Sequence, residues 1–417
     1  MSRRRQPHRI PPPISHGSET LDAEVILHEI PDEVGVYLWK TVRSVRLWGE
    51  LPADQRHAAF DGDAYSNRLA RLRALPIDQD LRESLETAAV VLRGDAIHLE
   101  AVVTACRLVA SWADDRGALG TALEFTTAAA LLMPTDAELV HTVAWLARRR
   151  GEFARAESWY RQAIAVARRT HDWISLAGSY LGLGATFLQR GSHSAARQTL
   201  VRGIRAATRH SLWEERALLS HELARVAMRT ERPAEAVRSG RAAFEAYGPG
   251  HPRLPQLAAD LGIYWVRSGH FAEGRQVLSV MDPAEVELAQ RLARAAAIAR
   301  ASAAVGDTRS FETAWKEAEP LLESHTTNFE SALACLDLAR AAAAAGEEQR
   351  MRTAAERASR AAEVRGDAAL RAEADDLLRG PAGVPTDATG EMKKATRELR
   401  RLSDDLAAAF SSSAEAA

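Results

Sequence analysis

The sequence predicts an all-α fold, a solenoid of antiparallel helix pairs, and three observations lead to this prediction. The strong helix formers alanine, leucine, arginine and glutamate are abundant among the 417 residues. A pattern of small and apolar residues recurs along about two thirds of the chain. A glycine or a polar residue divides each recurrence into two halves, at the point where a helix must end and the chain must reverse.

The chain is predicted to begin with a disordered tail and a helical cap. Residues 1–20 are polar and rich in proline, a composition typical of disordered segments. Residues 21–97 are predicted to form the cap. Its first helix covers 34–48, where valines and a leucine fall on one face at helical spacing. Two further helices are expected at about 53–74 and 78–93.

The decisive feature is the repetition from residue 98 to residue 378. After Gly117 and again after Gly151, small, hydroxyl-bearing or apolar residues follow at the same offsets of 2, 5, 9 and 12. The pattern continues with decay, which predicts seven helix pairs. Their turn residues are spaced 34, 40, 40, 38, 37 and 40 residues apart: Gly117, Gly151, Gly191, Glu231, Gly269, Gly306 and Gly346.

Small residues before each turn explain how the two helices of a pair can pack closely. The residues seven positions before the turns are Ala110, Ala144, Gly184, Ala224, Gly262, Ala299 and Ala339. A pair packed in this way still exposes an apolar face that only the next pair can cover. Stacking of consecutive pairs is therefore expected.

The unit around Gly151 resembles the tetratricopeptide repeat. It shares the small residues at the eighth and twentieth positions, the glycine near the fifteenth and the aromatic residues near the seventeenth and twenty-fourth. The departures are the longer spacings and the near absence of the terminal proline, which only Pro134 clearly shows. Such units resemble the relaxed arrays of bacterial regulators and peptide receptors. The resemblance implies a right-handed superhelix and a bacterial protein.

The C-terminal part is predicted to contain a linker, an amphipathic helix and a tail. Glycines and prolines predict a linker at 379–390. Leucines at coiled-coil spacing predict a helix over 391–410, which is amphipathic because its other face is basic. Residues 411–417 are expected to be disordered. The helix is interpreted as a terminal cap or a loose helix, and the alternative is a helix that pairs two copies into a homodimer.

The composition and the motifs favour a non-catalytic intracellular protein. The net charge of −2 gives no indication of a nucleic-acid partner. No window is apolar enough to span a membrane and no secretory signal is recognisable, so a cytoplasmic location is expected. Glycine never precedes lysine, which excludes a phosphate-binding P-loop. His221 and Glu222 begin like a zinc-protease helix, but Arg225 stands where the second histidine would be. We therefore expect no enzyme activity, no cofactor and no metal site.

The resemblance also implies a binding groove lined by the first helix of each unit. The groove positions of the family correspond here to residues that are mostly basic: Arg107, His141, Trp145, Arg148, Arg149, His221, Arg225, Arg229, Arg267, Arg300 and Arg340. Arginines beside a tryptophan suit an acidic or carboxylate-ended peptide. Because about 50 of the 54 basic residues are arginines, some would face inward without any function. The predicted function is a protein- or peptide-binding scaffold or adaptor, and the alternative is a regulatory peptide receptor without a clear DNA-binding domain.

Overall fold

The computed structural model describes residues 23–60, 62–93, 97–286, 288–324, 329–365, 367–379 and 390–415. The tail predicted at 1–20 lies outside these residues, as do most of the predicted linker and the last two residues of the chain. All regular structure of the described residues is helical, which confirms the all-α prediction. The chain divides into two compact units, residues 1–215 and 216–417.

The first unit contains the cap and the first three helix pairs. The helices before the boundary are α1 (Ala23–Glu29), α2 (Glu33–Glu50), α3 (Arg56–Ala59), α4 (Ala64–Ala74), α5 (Gln79–Ala89), α6 (Leu99–Asp114), α7 (Leu119–Leu132), α8 (Ala137–Arg149), α9 (Phe153–Thr170), α10 (Trp173–Gln189) and α11 (His193–Arg209). The helix predicted at 53–74 is interrupted, because Gly62 and Asp63 form a turn between α3 and α4. Short 3-10 helices cover Ala53–Gln55 and Val90–Arg93.

The boundary between the units falls inside the next helix, and the second unit continues the helix pairs. Its helices are α12 (Trp213–Arg229), α13 (Pro233–Tyr247), α14 (Leu254–Arg267), α15 (Phe271–Ser279), α16 (Leu288–Ala304), α17 (Thr308–Ser324), α18 (Phe329–Ala345), α19 (Glu348–Arg365), α20 (Ala368–Arg379) and α21 (Gly390–Glu415). A 3-10 turn at Pro283–Glu285 lies between α15 and α16. The two helices of each pair are called the first and the second helix below. The first helices are α6, α8, α10, α12, α14, α16 and α18, and the second helices are α7, α9, α11, α13, α15, α17 and α19.

Every predicted turn residue has a positive φ angle, between 52° and 86°. This conformation lets the chain leave the first helix and satisfies the helix's last carbonyl groups. After α8, the amide of Glu152 donates to the carbonyl of Ala147 at 2.9 Å. Glu231 takes the same left-handed conformation, with φ 52°, although it is not a glycine. The turn is therefore imposed by the packing of the pair and not by glycine alone.

Close packing at the small residues also follows the sequence prediction. An added Cβ atom on Gly184 would lie 2.5 Å from Leu200, and one on Gly262 would lie 2.7 Å from Leu278. Ala144 is fully buried. The small side chains are thus the condition for each first helix to pack against its second helix.

The N-terminal cap is anchored on α7, which is buried along almost its whole length. The Glu29 carboxylate accepts hydrogen bonds at 2.7 Å from the backbone amides of Gly120 and Thr121, at the start of α7. A negative charge at this end of a helix is stabilised by the unpaired amides and by the helix dipole. Farther along the same helix, Arg46 of α2 pairs with the fully buried carboxylate of Glu124 at 3.3 Å. The cap is therefore joined to the array through both polar and apolar contacts.

The C-terminal helix α21 packs against α13 and α15, two second helices of the second unit. Leu399, Leu402 and Leu406 are almost completely buried in the core of this unit. The hydroxyl of Ser403 donates to the carbonyl of Glu273 at 3.0 Å. The helix predicted at 391–410 lies within α21, which continues to Glu415 into the predicted tail. A coiled coil between two copies would need the same leucines that pack here into the core of their own chain.

Candidate ligand-binding face

In the first unit, ion pairs connect consecutive first helices. Arg149 of α8 donates from Nη1 to both carboxylate oxygens of Asp114 of α6, at 2.6 and 2.8 Å. Arg107 of α6 donates to Glu138 of α8 at 2.8 Å. Ion pairs as exposed as Arg107–Glu138 contribute about 0.2–1 kcal/mol to stability, so their main effect is to fix the positions of the charged side chains.

Trp145 of α8 is a large apolar side chain that is partly exposed to solvent. It is 36% exposed, and the guanidinium carbon of Arg149 lies 4.5 Å from the centre of its ring. Its neighbour Arg148 reaches the next first helix, where Nη1 donates to Gln189 at 3.4 Å. Because Asp114 holds Arg149 and Arg149 covers one face of the ring, the tryptophan is ordered before any ligand arrives.

His141 is a packing residue between two first helices. Its Nδ1 lies 3.1 Å from the hydroxyl oxygen of Ser179 on α10, and its ring meets Tyr160 edge to face at 5.6 Å. Burial and, to a smaller extent, the nearby charge of Arg148 lower the pKa of His141 to about 4, against the opposing effect of Asp172. The imidazole is therefore neutral at neutral pH, and it does not contribute to a basic groove.

The next first helix, α10, adds an apolar row that sequence reasoning missed. The residues one repeat of 40 positions after His141, Trp145 and Arg148 are Leu181, Ala185 and Leu188. All three are partly buried. His141 contacts Ser179 and Arg148 contacts Gln189, so the helix that carries this row packs against the helix that carries the tryptophan. The repeat register alone would locate these residues, because they stand 40 positions after predicted groove residues.

In the second unit, α12 presents the same positions with polar partners. The Nε2 atom of His221 lies 3.0 Å from the carboxylate of Asp260 on α14. Arg225 donates to Glu222 at 3.0 Å, and its Nε lies 3.7 Å from Asp260. Arg229 is exposed in the last turn of α12. The carboxylates again come from the same helix or from the next first helix.

A buried carboxylate gathers two predicted arginines on α14 and α16. Asp337 of α18 is 1% exposed and accepts from Arg267 and Arg300, each at 2.7 Å. Burial by itself would raise the pKa of Asp337, but the charges and hydrogen bonds of the two guanidinium groups outweigh it and hold the pKa below its usual value. The last predicted residue, Arg340, pairs with Glu373 of α20 at 2.5 Å. These side chains join four helices of the unit.

All eleven predicted residues lie on first helices, but the charge they present differs from a purely basic groove. Six of the eight predicted arginines form ion pairs with described carboxylates: Arg107, Arg149, Arg225, Arg267, Arg300 and Arg340. Most of these carboxylates lie on a neighbouring first helix. The face therefore alternates in charge, and an acidic ligand would have to exchange with partners that are already in place.

The two thiols lie away from this face. Cys106 and Cys335 are buried, and burial raises the pKa of Cys106 to about 12 and that of Cys335 to about 11. Thiols in such surroundings are poor nucleophiles. Among the described residues, no group of three or more His, Cys, Asp and Glu side chains could hold a metal ion. Within the same part of the chain, no helix is long and apolar enough to cross a membrane.

A family model confirms the repeats in the first unit. Residues 137–209, from the start of α8 to the end of α11, match the model of the tetratricopeptide repeat. The chain contains tetratricopeptide repeats. The match covers the helices that carry Trp145 and the apolar row of α10, so these side chains stand on tetratricopeptide units.

Several solved structures are similar to this chain. A Rap protein complexed with competence and sporulation factor is 9% identical, with a TM-score of 0.46, over 91% of this chain and 100% of that one. The Rap conjugation gene regulator of plasmid pLS20, in complex with the Phr* peptide, is 12% identical, with a TM-score of 0.43, over 88% and 97%. YrrB, a tetratricopeptide protein described as having an unusual peptide-binding site, is 17% identical, with a TM-score of 0.31, over 60% and 97%. No curated protein matches the sequence significantly.

Proposed function

We propose that this tetratricopeptide protein is a non-catalytic scaffold or adaptor that binds a protein or peptide segment on the first helices of its first unit. The binding surface consists of Trp145, Arg148 and Arg149 of α8 and Leu181 and Leu188 of α10, and is called the Trp145 surface below. The observation that carries the proposal is the 36%-exposed tryptophan, which Arg149 orders on α8, the helix that contacts α10 and its apolar row.

The physical chemistry of this surface suits peptide recognition. Aromatic and arginine side chains contribute most of the binding energy in many interfaces. A side chain that is already ordered loses little conformational entropy when it binds. Arg149 is held by Asp114 and Arg148 by Gln189, so the cost of ordering both arginines falls on folding and not on binding.

The ligand we propose is a peptide with one large apolar side chain next to an acidic residue. The apolar side chain would cover Trp145 and the row of α10. The carboxylate of the peptide would lie against Arg148 and Arg149, where it would compete with Asp114 for the guanidinium group of Arg149. Because that exchange limits the electrostatic gain, the apolar contact should contribute most of the affinity.

Selection from a random-peptide display library on the immobilised full chain tests the proposal. The dissociation constants of selected peptides would then be measured by fluorescence polarisation. Trp145→Ala should weaken binding by about 10- to 100-fold, the effect typical of a central aromatic contact. Arg149→Ala should weaken it by about tenfold, because the tryptophan also loses its support.

The matched control is Arg202→Ala, an exposed arginine on the second helix α11. It removes the same side chain from the same unit and should leave the dissociation constant unchanged. Selected peptides that bind wild type, Trp145→Ala and Arg149→Ala equally well would refute the assignment. Failure to select any peptide would refute peptide binding itself.

A further inference from the structure

A second groove lies at the start of the array, between α5 of the cap and α6 of the first pair. It has a volume of about 800 Å³. Leu108 lies in it with 55% of its surface exposed, in contrast to the buried residues around it such as Ala105 and Leu81. The groove also contains Trp112, whose indole NH donates to Asp78 at 3.1 Å. An open groove with an exposed leucine and an ordered tryptophan has the composition of a binding site.

The walls of this α5–α6 groove carry carboxylates on both sides. Asp80 and Glu83 belong to α5, and Glu100 and Asp115 belong to α6 or its C-terminal cap. Within the described part of the chain, none of these four forms an ion pair with a basic side chain, in contrast to the paired carboxylates of the first-helix face.

The basic residue in the lining is already engaged. The guanidinium of Arg116 stacks over Trp112 at 4.3 Å and lies 3.7 Å from the carboxylate of Asp78. Asp78 in turn caps α5 by accepting from Leu81. The local positive charge is therefore matched by Asp78, and the groove keeps an excess of negative charge that a cationic ligand can use.

The positions of the carboxylates along α6 set the length of the ligand. Glu100 stands in the first turn of the helix and Asp115 follows its last turn, so about 22 Å of helix separates them. Leu108 lies near the middle of this span. An extended peptide covers the same distance with about seven residues.

We propose that the α5–α6 groove binds a basic peptide segment of a partner protein, with arginine or lysine at both ends and an apolar side chain between them. The basic ends pair with Asp80 and Asp115 at one end of the groove and with Glu100 at the other. The apolar side chain covers Leu108. This site is separate from the Trp145 surface and does not depend on the function proposed for it.

A defined synthetic peptide tests this site on the full chain. The probe is a fluorescein-labelled peptide with two arginines at each end, a central leucine and serines between them. The protein should bind it with an affinity that falls as salt is raised, whereas the same peptide with aspartates in place of the arginines should not bind. Asp80→Asn combined with Asp115→Asn should weaken binding by about tenfold, and Leu108→Ser by a similar factor that salt does not change.

The charge-matched control is Glu214→Gln combined with Glu215→Gln, in the first turn of α12, where the last residues of the first unit lie. It removes the same two charges and should leave the dissociation constant unchanged. Equal weakening by both double variants would show general attraction to an acidic protein and would overturn the proposal. Tighter binding by a chain that lacks residues 1–22 would show that the groove is filled by the chain's own arginines, Arg3 to Arg5, and would overturn the assignment to a partner.

Discussion

The contact between Gly182 of α10 and Tyr160 of α9 offers a quantitative test of the packing between two consecutive tetratricopeptide pairs. An added Cβ atom on Gly182 would lie 2.2 Å from Cζ and 2.3 Å from the hydroxyl oxygen of the tyrosine. An unstrained contact needs about 3.5 Å, so the ring would have to move by more than about 1 Å. Tyr160 is completely buried and meets His141 edge to face, so it cannot move without disturbing α8.

We expect Gly182→Ala to lower the free energy of unfolding by about 2 kcal/mol. Overpacking a buried contact typically costs about 1–3 kcal/mol, and this clash is severe. Replacing a helical glycine by alanine returns about 1 kcal/mol of helix propensity, which offsets part of that cost. The measurement is urea unfolding followed by far-UV circular dichroism.

Gly178→Ala, in the same helix, provides the matched control. Its added Cβ atom would lie 3.4 Å from His141, an ordinary contact, so the helix-propensity gain should remain and stability should rise by about 0.5–1 kcal/mol. In addition, the double variant Gly182→Ala with Tyr160→Ala should lose about 2 kcal/mol less free energy of unfolding than the two single variants lose in sum, because the alanine no longer meets the tyrosine ring. The reasoning is refuted if Gly182→Ala is as stable as Gly178→Ala, or if the two costs simply add.

Three further predictions follow from the second unit. Asp337→Asn should lower the free energy of unfolding by about 3 kcal/mol at neutral pH, because two partly buried guanidinium groups lose their buried counter-charge. The folded-state pKa of Asp337 lies below its unfolded value, so its contribution is present above about pH 4 and is lost as the pH falls through the lower, folded value. Urea unfolding across this range should therefore show a weaker loss of stability on acidification in the variant than in wild type, and equal losses would contradict the assignment. Glu231→Gly should raise stability by about 0.5–1 kcal/mol in the same assay by relieving a left-handed backbone, and a loss of stability would show that the turn is not strained. Leu402→Ser should speed amide hydrogen exchange in α21, because it removes a leucine that is fully buried within its own unit. The mass of the protein by size-exclusion chromatography should stay the same, and a change from dimer to monomer would instead support the homodimer.

Local signals in the sequence determined the helix pairs. A chain reversal needs a residue that tolerates positive φ, and two helices in close contact need small side chains, so Gly151, Ala144 and Gly184 reveal both features from their spacing alone. Glu231 was placed by register in the same way, although its residue type argues against the turn. The cap helix at 34–48 and the C-terminal helix at 391–410 were found from apolar periodicity, which depends only on near neighbours.

The tertiary structure alone decided which charges remain available to a ligand. The sequence shows that arginines recur on the first helices, but apart from Glu222, which pairs with Arg225 on the same helix, their carboxylate partners lie about 30 to 70 residues away. Asp114 faces Arg149 across 35 positions, and Asp337 faces Arg267 across 70. No local pattern distinguishes such a carboxylate from one on a solvated helix face. The apolar row lies on α10, a helix for which the sequence predicted no groove residue. Pairing of charges depends on distances between stacked helices, whereas helix formation and reversal depend on residues a few positions apart. The array could therefore be predicted from the sequence, and the charge of its candidate binding face could not.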